Sequence, residues 1–141
     1  MASTKTSAPC ANPPTIDPSE RLLQAIQDFR DNMNKRFDSL EIRLNSMDIR
    51  MSAMQANGIT RMLNNNVTQR DAPLIPLNAV ATNTPIDHFP QTITAIDRLT
   101  TQAINDIFVQ LGELGEPVNG DLPEKKKRLK TLAGVISESV L

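Results

Sequence analysis

Apolar residues recur along the chain at Leu22, Ile26, Phe29, Met33, Phe37, Leu40, Leu44, Met47, Met51 and Met54, in steps of 4, 3, 4, 4, 3, 4, 3, 4 and 3. Alternating steps of three and four keep one stripe on one side of a helix and form the seam of a left-handed coiled coil. The doubled step through Phe29, Met33 and Phe37 is a four-residue stutter, which unwinds the supercoil locally without breaking the helix. Asp17-Pro18-Ser19-Glu20 supplies a start: Asp17 or Ser19 can cap, and proline suits a first helical position. Between Glu20 and Asn57 there is neither proline nor glycine. A helix of that extent is roughly 57 Å long at 1.5 Å per residue, more than the rest of this chain can cover.

With Phe37 at position a, Leu44 and Met51 share that position, and Leu40, Met47 and Met54 take d. Arg36, Arg43 and Arg50 then fall at g, and Glu41, Asp48 and Gln55 at e. In a parallel assembly g faces e of the next heptad on the neighbouring copy, which pairs Arg36 with Glu41 and Arg43 with Asp48. An antiparallel homodimer sets Arg against Arg instead. Each exposed pair contributes a fraction of a kcal/mol to about 1 kcal/mol, and the change of sign selects the parallel arrangement. Ile42 and Ile49 lie at f, on the opposite side, with Ala56 continuing the line. A neighbouring segment packed there, or a bundle of more helices, would account for them, and the apolar stretch 74–89 is the first choice.

The pattern changes twice more. Residues 1–18, rich in Pro, Ser, Thr and Ala, read as a disordered arm ahead of an oligomerisation helix over 19–63. Residues 64–91 carry Pro73, Pro76, Pro85 and Pro90, which hold a chain extended. Leu74, Ile75, Leu77, Val80, Ile86 and Phe89 make that stretch too apolar for a free linker, so it should lie along another surface. Residues 92–136 return to helical periodicity in three short helices, followed by a tail over 137–141. The first carries Ile93, Ile96 and Leu99. Thr100 caps the second, with Ile104, Ile107, Phe108 and Leu111 on one face and Gly112 or Gly115 at its end. Asp121-Leu122-Pro123-Glu124 opens the third as a capping box, with Leu129, Leu132 and Ile136 facing inward. The expected class is all-α: a long parallel oligomeric helix, an extended Pro-rich segment and a small three-helix module.

Two resemblances bear on this organisation. Residues Leu99 to Leu132 join a helix, the loop Gly115-Glu116-Pro117-Val118-Asn119-Gly120 and a Lys/Arg-rich helix. This resembles the SAP-type DNA-binding helix–extended-loop–helix, which implies a nucleic-acid partner. Gly112-Glu113-Leu114-Gly115 lengthens the loop relative to that pattern, and Leu122-Pro123 stands where a lysine is usual. Residues 20–135, with Thr82-Asn83-Thr84-Pro85-Ile86-Asp87-His88-Phe89-Pro90-Gln91-Thr92, are similar to a group of small uncharacterised fungal coiled-coil proteins. That similarity implies the architecture and no activity.

Charge and composition narrow the function. The chain has 141 residues with 15 Lys and Arg against 16 Asp and Glu, a formal charge of -1. That balance excludes a globally basic nucleic-acid coat. The one charge block is Lys125, Lys126, Lys127, Arg128 and Lys130. It reads as a solvated helix face, a nuclear import signal or a phosphate-contacting patch, and several copies side by side would act together. Four Phe, no Tyr and no Trp leave little for stacking on single strands.

One Cys and one His give no disulfide framework and no thiolate–imidazole metal cluster. Cys10 reads as a bystander thiol, and His88, beside Asp87, has no nucleophile to serve. Gly112, Gly115 and Gly120 follow a helix and lack the spacing of a phosphate loop. No secretory signal and no spanning segment is evident, so Asn66-Val67-Thr68 carries no weight as a glycosylation acceptor and an intracellular, or nuclear, setting is expected. No catalytic, metal or cofactor residues are assigned. The expected function is a non-enzymatic homo-oligomeric scaffold whose partners are itself and an unidentified protein. The alternative is a nuclear DNA- or chromatin-associated protein that contacts phosphates through the basic helix.

Overall fold

The computed structural model describes residues 17–113 and 120–136. The N-terminal arm, Cys10, most of the Gly115–Gly120 loop and the tail at 137–141 lie outside them. The described chain is mainly α-helical, with four helices: α1 Pro18–Asn64, α2 Ile93–Asp97, α3 Thr101–Gln110 and α4 Leu122–Ala133. Two compact units divide it, one ending at Ile42 and the other beginning at Arg43.

In the first unit the chain is one helical run. Pro18 takes the first helical position, the carbonyl of Asp17 accepts from the Arg21 amide at 3.0 Å, and Ser19 Oγ donates to the Asp17 carboxylate at 2.6 Å. Glu20 adds an acid in the first turn, where it complements the helix dipole. Helix α1 continues past Gly58 to Asn64, farther than the glycine-free stretch. One glycine costs about 1 kcal/mol in a helix, which contacts along α1 offset.

The second unit holds the hydrophobic core: Leu77, Ile96, Ile104, Phe108 and Leu129 are fully buried, with Leu74, Ile86, Phe89, Ile107 and Val135 around them. The Pro-rich stretch therefore supplies core residues. It also reverses direction: Asn78 and Pro85 form an isolated antiparallel bridge, the Ile86 amide donates to Leu77 O at 2.9 Å, and Ala79 donates to Thr84 O at 2.8 Å. Each short helix begins on a side-chain cap. Thr92, Thr100 and Asp121 accept from the amides of Ala95, Ala103 and Glu124 at 3.0, 3.2 and 3.0 Å. Helix α3 ends at Gly112, whose φ is 75°. There the amides of Gly112 and Glu113 return to Val109 and Phe108, a Schellman closure.

Helix α4 ends the same way on Gly134, φ 91°, with the Val135 amide on Lys130 O at 2.9 Å. That reversal corrects one sequence expectation. Val135 turns inward at 5% exposure and Ile136 is left 69% exposed, because the left-handed residue moves the following side chains off the helical periodicity.

Candidate self-association surface

The stripe of apolar residues on α1 is uncovered. In the unit ending at Ile42, Leu22, Ile26, Phe29, Phe37 and Leu40 are exposed and Met33 is half-buried; in the second unit Leu44, Met47, Met51 and Met54 are exposed. The exposed nine range from 51% to 66% of full accessibility. Scattered surface leucines are ordinary, whereas Leu44, Met47, Met51 and Met54, exposed at heptad spacing within the second unit, make a candidate contact surface. Arg36, Glu41, Arg43 and Asp48 are exposed as well.

A different side of α1 meets the core unit. Ala53, Asn57 and Asn64 are buried and Ile49 and Ala56 are half-buried, while Ile42 is 68% exposed. The covered line is displaced from the Ile42–Ile49–Ala56 line by a fraction of a turn. The contact with residues 74–91 includes two asparagine side chains that bond to its backbone. Asn57 Oδ1 accepts from the Asn78 amide at 2.6 Å and its Nδ2 donates to Asn78 O at 2.8 Å. One turn pair on, Asn64 treats Ile75 the same way, at 2.8 and 2.9 Å, and also donates to Ala133 O at 2.9 Å. Arg61 Nε donates to Leu132 O at 2.7 Å. Terminal carbonyls of α4 are thus satisfied by side chains of α1, and a cation sits at the negative end of a helix dipole.

Sequence reading missed Asn57, Arg61 and Asn64 as a set. The available signal was two asparagines seven residues apart on one helix side, next to Ala53 and Gly58, where a purely apolar stripe was sought.

The basic block is mostly occupied from within. Lys125 is buried and its Nζ donates to Asn105 Oδ1 at 3.1 Å. Lys126 Nζ donates to the backbone carbonyl of Asp97, at the end of α2, and Lys130 Nζ pairs with the Asp97 carboxylate at 2.7 Å. Arg70 pairs with the same carboxylate. Arg128 reaches Glu113 at 2.8 Å, and Lys127 is exposed. The block therefore ties α4 to α2, to Asn105 of α3 and to Glu113 after α3. The expected solvated face is reduced to its outer edge.

At Asp97, burial pushes the carboxyl pKa up. The hydrogen bond from Lys130 and the charges of Lys130, Arg70 and Lys126 together outweigh that and hold it below the usual value. A lowered folded pKa stabilises the fold at pH values above the unfolded-state value, near 3.9, and that contribution is lost as the pH falls through the folded value. Asp97→Asn should therefore cost up to about 1 kcal/mol at pH 7, given the partial exposure of the site. Urea midpoints of the variant and the parent should converge as the pH falls from the unfolded-state value through the lowered folded value.

His88 is exposed, with a left-handed φ of 58°. Among the described residues no three His, Cys, Asp or Glu side chains gather as metal ligands. No described helix is long and apolar enough to cross a membrane. Comparison of the chain with protein-family models, curated proteins and solved structures yields no match.

Proposed function

We propose that this chain is a non-enzymatic scaffold that associates with copies of itself in parallel through α1, leaving its C-terminal helical unit to engage other proteins. The observation that carries the reading is the row of nine exposed apolar side chains from Leu22 to Met54, set at the spacing a partner helix requires. The order of charges at Arg36, Glu41, Arg43 and Asp48 supports the parallel sense. Nucleic-acid association through Lys125–Lys130 draws less support, since Lys125, Lys126, Arg128 and Lys130 already have partners inside the chain.

Sedimentation equilibrium at micromolar concentration should return a multiple of 15.6 kDa. Replacing Leu44 and Met51 together by Glu should weaken association by at least about tenfold, since each buried apolar side chain contributes about 1.5–3 kcal/mol. A single-chain mass for the parent protein would overturn the reading. Spin labels that place residue 22 of one copy beside residue 54 of another would overturn the parallel sense. Charge reversal at Lys126 and Lys127 should leave duplex-DNA retention at low salt unchanged; a loss of retention, with the oligomer intact, would favour the nucleic-acid alternative.

A further inference from the structure

By strict heptad counting the seam should stop at Met54, because the next a position is Gly58 and the next d position is Arg61. The structure removes that obstacle. Arg61 is drawn to Leu132 O of α4, so its side chain is committed to the core unit. A Cβ placed on Gly58 would meet nothing within 4 Å. Met62 is 74% exposed and Ile59 62%. At 100° per residue, Met47, Met51, Met54, Gly58 and Met62 fall on one strip about 80° wide. The steps of four from Met54 to Gly58 to Met62 repeat those of Phe29, Met33 and Phe37.

We propose that the self-association surface runs on through Gly58 to Met62, and that its occupant is the same stretch of a second, parallel copy. This rests on the self-association reading above. Arg43 and Asp48 complement each other only between parallel copies in register, and that register sets every layer against itself. Gly58 then faces Gly58 of the neighbouring copy. The missing side chains let two backbones converge there, while Met54 and Met62, long and adaptable, close the space above and below. Gly58 has no such use within a single chain, where alanine would be the better helix former.

The test uses the full chain with Cys10→Ser and one new cysteine at a time. A disulfide between like positions requires Cα atoms within about 7 Å. Under mild oxidation Met54→Cys and Met62→Cys should both crosslink to dimers, and Ser52→Cys, exposed but off the strip, should not. Gly58→Glu should weaken association by about tenfold or more, with Ser52→Glu within about twofold of the parent. Amide exchange in α3 and α4 should be unchanged in every variant, since Ser52, Met54 and Met62 are exposed and a Cβ at Gly58 meets nothing within 4 Å. Crosslinking at 54 but not 62, with association indifferent to Gly58→Glu, would end the seam at Met54 and overturn this inference alone. A monomeric parent would overturn it together with the reading beneath it.

Discussion

Gly134→Ala should destabilise the core unit by about 3 kcal/mol or more. Two effects add at this position. Its φ of 91° lies in the left-handed region, where an L side chain costs about 1–2 kcal/mol. A Cβ there would also stand 2.3 Å from Arg61 O and 2.6 Å from Arg61 Cα. Those are backbone atoms of α1, so no side-chain rotation relieves the contact. The end of α4 must back away from α1, which breaks the bonds from Arg61 to Leu132 O and from Asn64 to Ala133 O. Gly134→Asn separates the two effects, because asparagine tolerates the left-handed region yet still brings a Cβ. It should be nearly as damaging as alanine. The chain has no Trp and no Tyr, so intrinsic fluorescence is no probe; amide exchange at Phe108 and Leu129 should report the loss. Unchanged protection in Gly134→Ala would mean that α4 does not approach α1 this closely.

Asn64→Leu should cost about 3 kcal/mol. The side chain is fully buried and makes three hydrogen bonds to the backbone of Ile75 and Ala133. Leucine keeps the branching and heavy-atom count of the side chain but leaves one amide and two carbonyls without those partners, each at about 1–3 kcal/mol with partial relief from relaxation. Asn64→Asp is the sharper variant. It keeps the acceptor for the Ile75 amide and sets a buried carboxylate against two carbonyl oxygens, so its pKa must rise. Its stability relative to the parent should recover as the pH falls through that raised value, when the protonated acid regains one donor. Denaturation in urea at pH 7 and pH 5, followed by amide exchange, checks both variants. Equal loss for Asp at the two pH values would show that water reaches the site.

The helical class, the start of α1 at Pro18, and the caps at Thr100 and Asp121 follow from local chemistry: a proline that fits a first turn, hydroxyl and carboxylate acceptors for free amides, and apolar spacing near 3.6. These need only neighbouring residues. The role of residues 64–91 was half legible. Its apolar content marked it as covered, but not as a source of core residues or as a chain reversal at Asn78 and Pro85. The basic block was legible as charge and not as structure, because Asp97, Asn105 and Glu113 come to it from 15 to 29 residues away.

What the sequence alone determined is the stripe on α1 and the order of charges beside it, since periodicity along one helix is a property of consecutive residues. The tertiary structure decided which other side of α1 is used up. It placed Asn57, Arg61 and Asn64 against backbone groups 11 to 71 residues away. Hydrogen bonds to a backbone leave no signature in the residue types of the partner, so no pattern along the chain announces them. It also set Gly134 where two backbones touch, a demand that exists only once α4 has met α1.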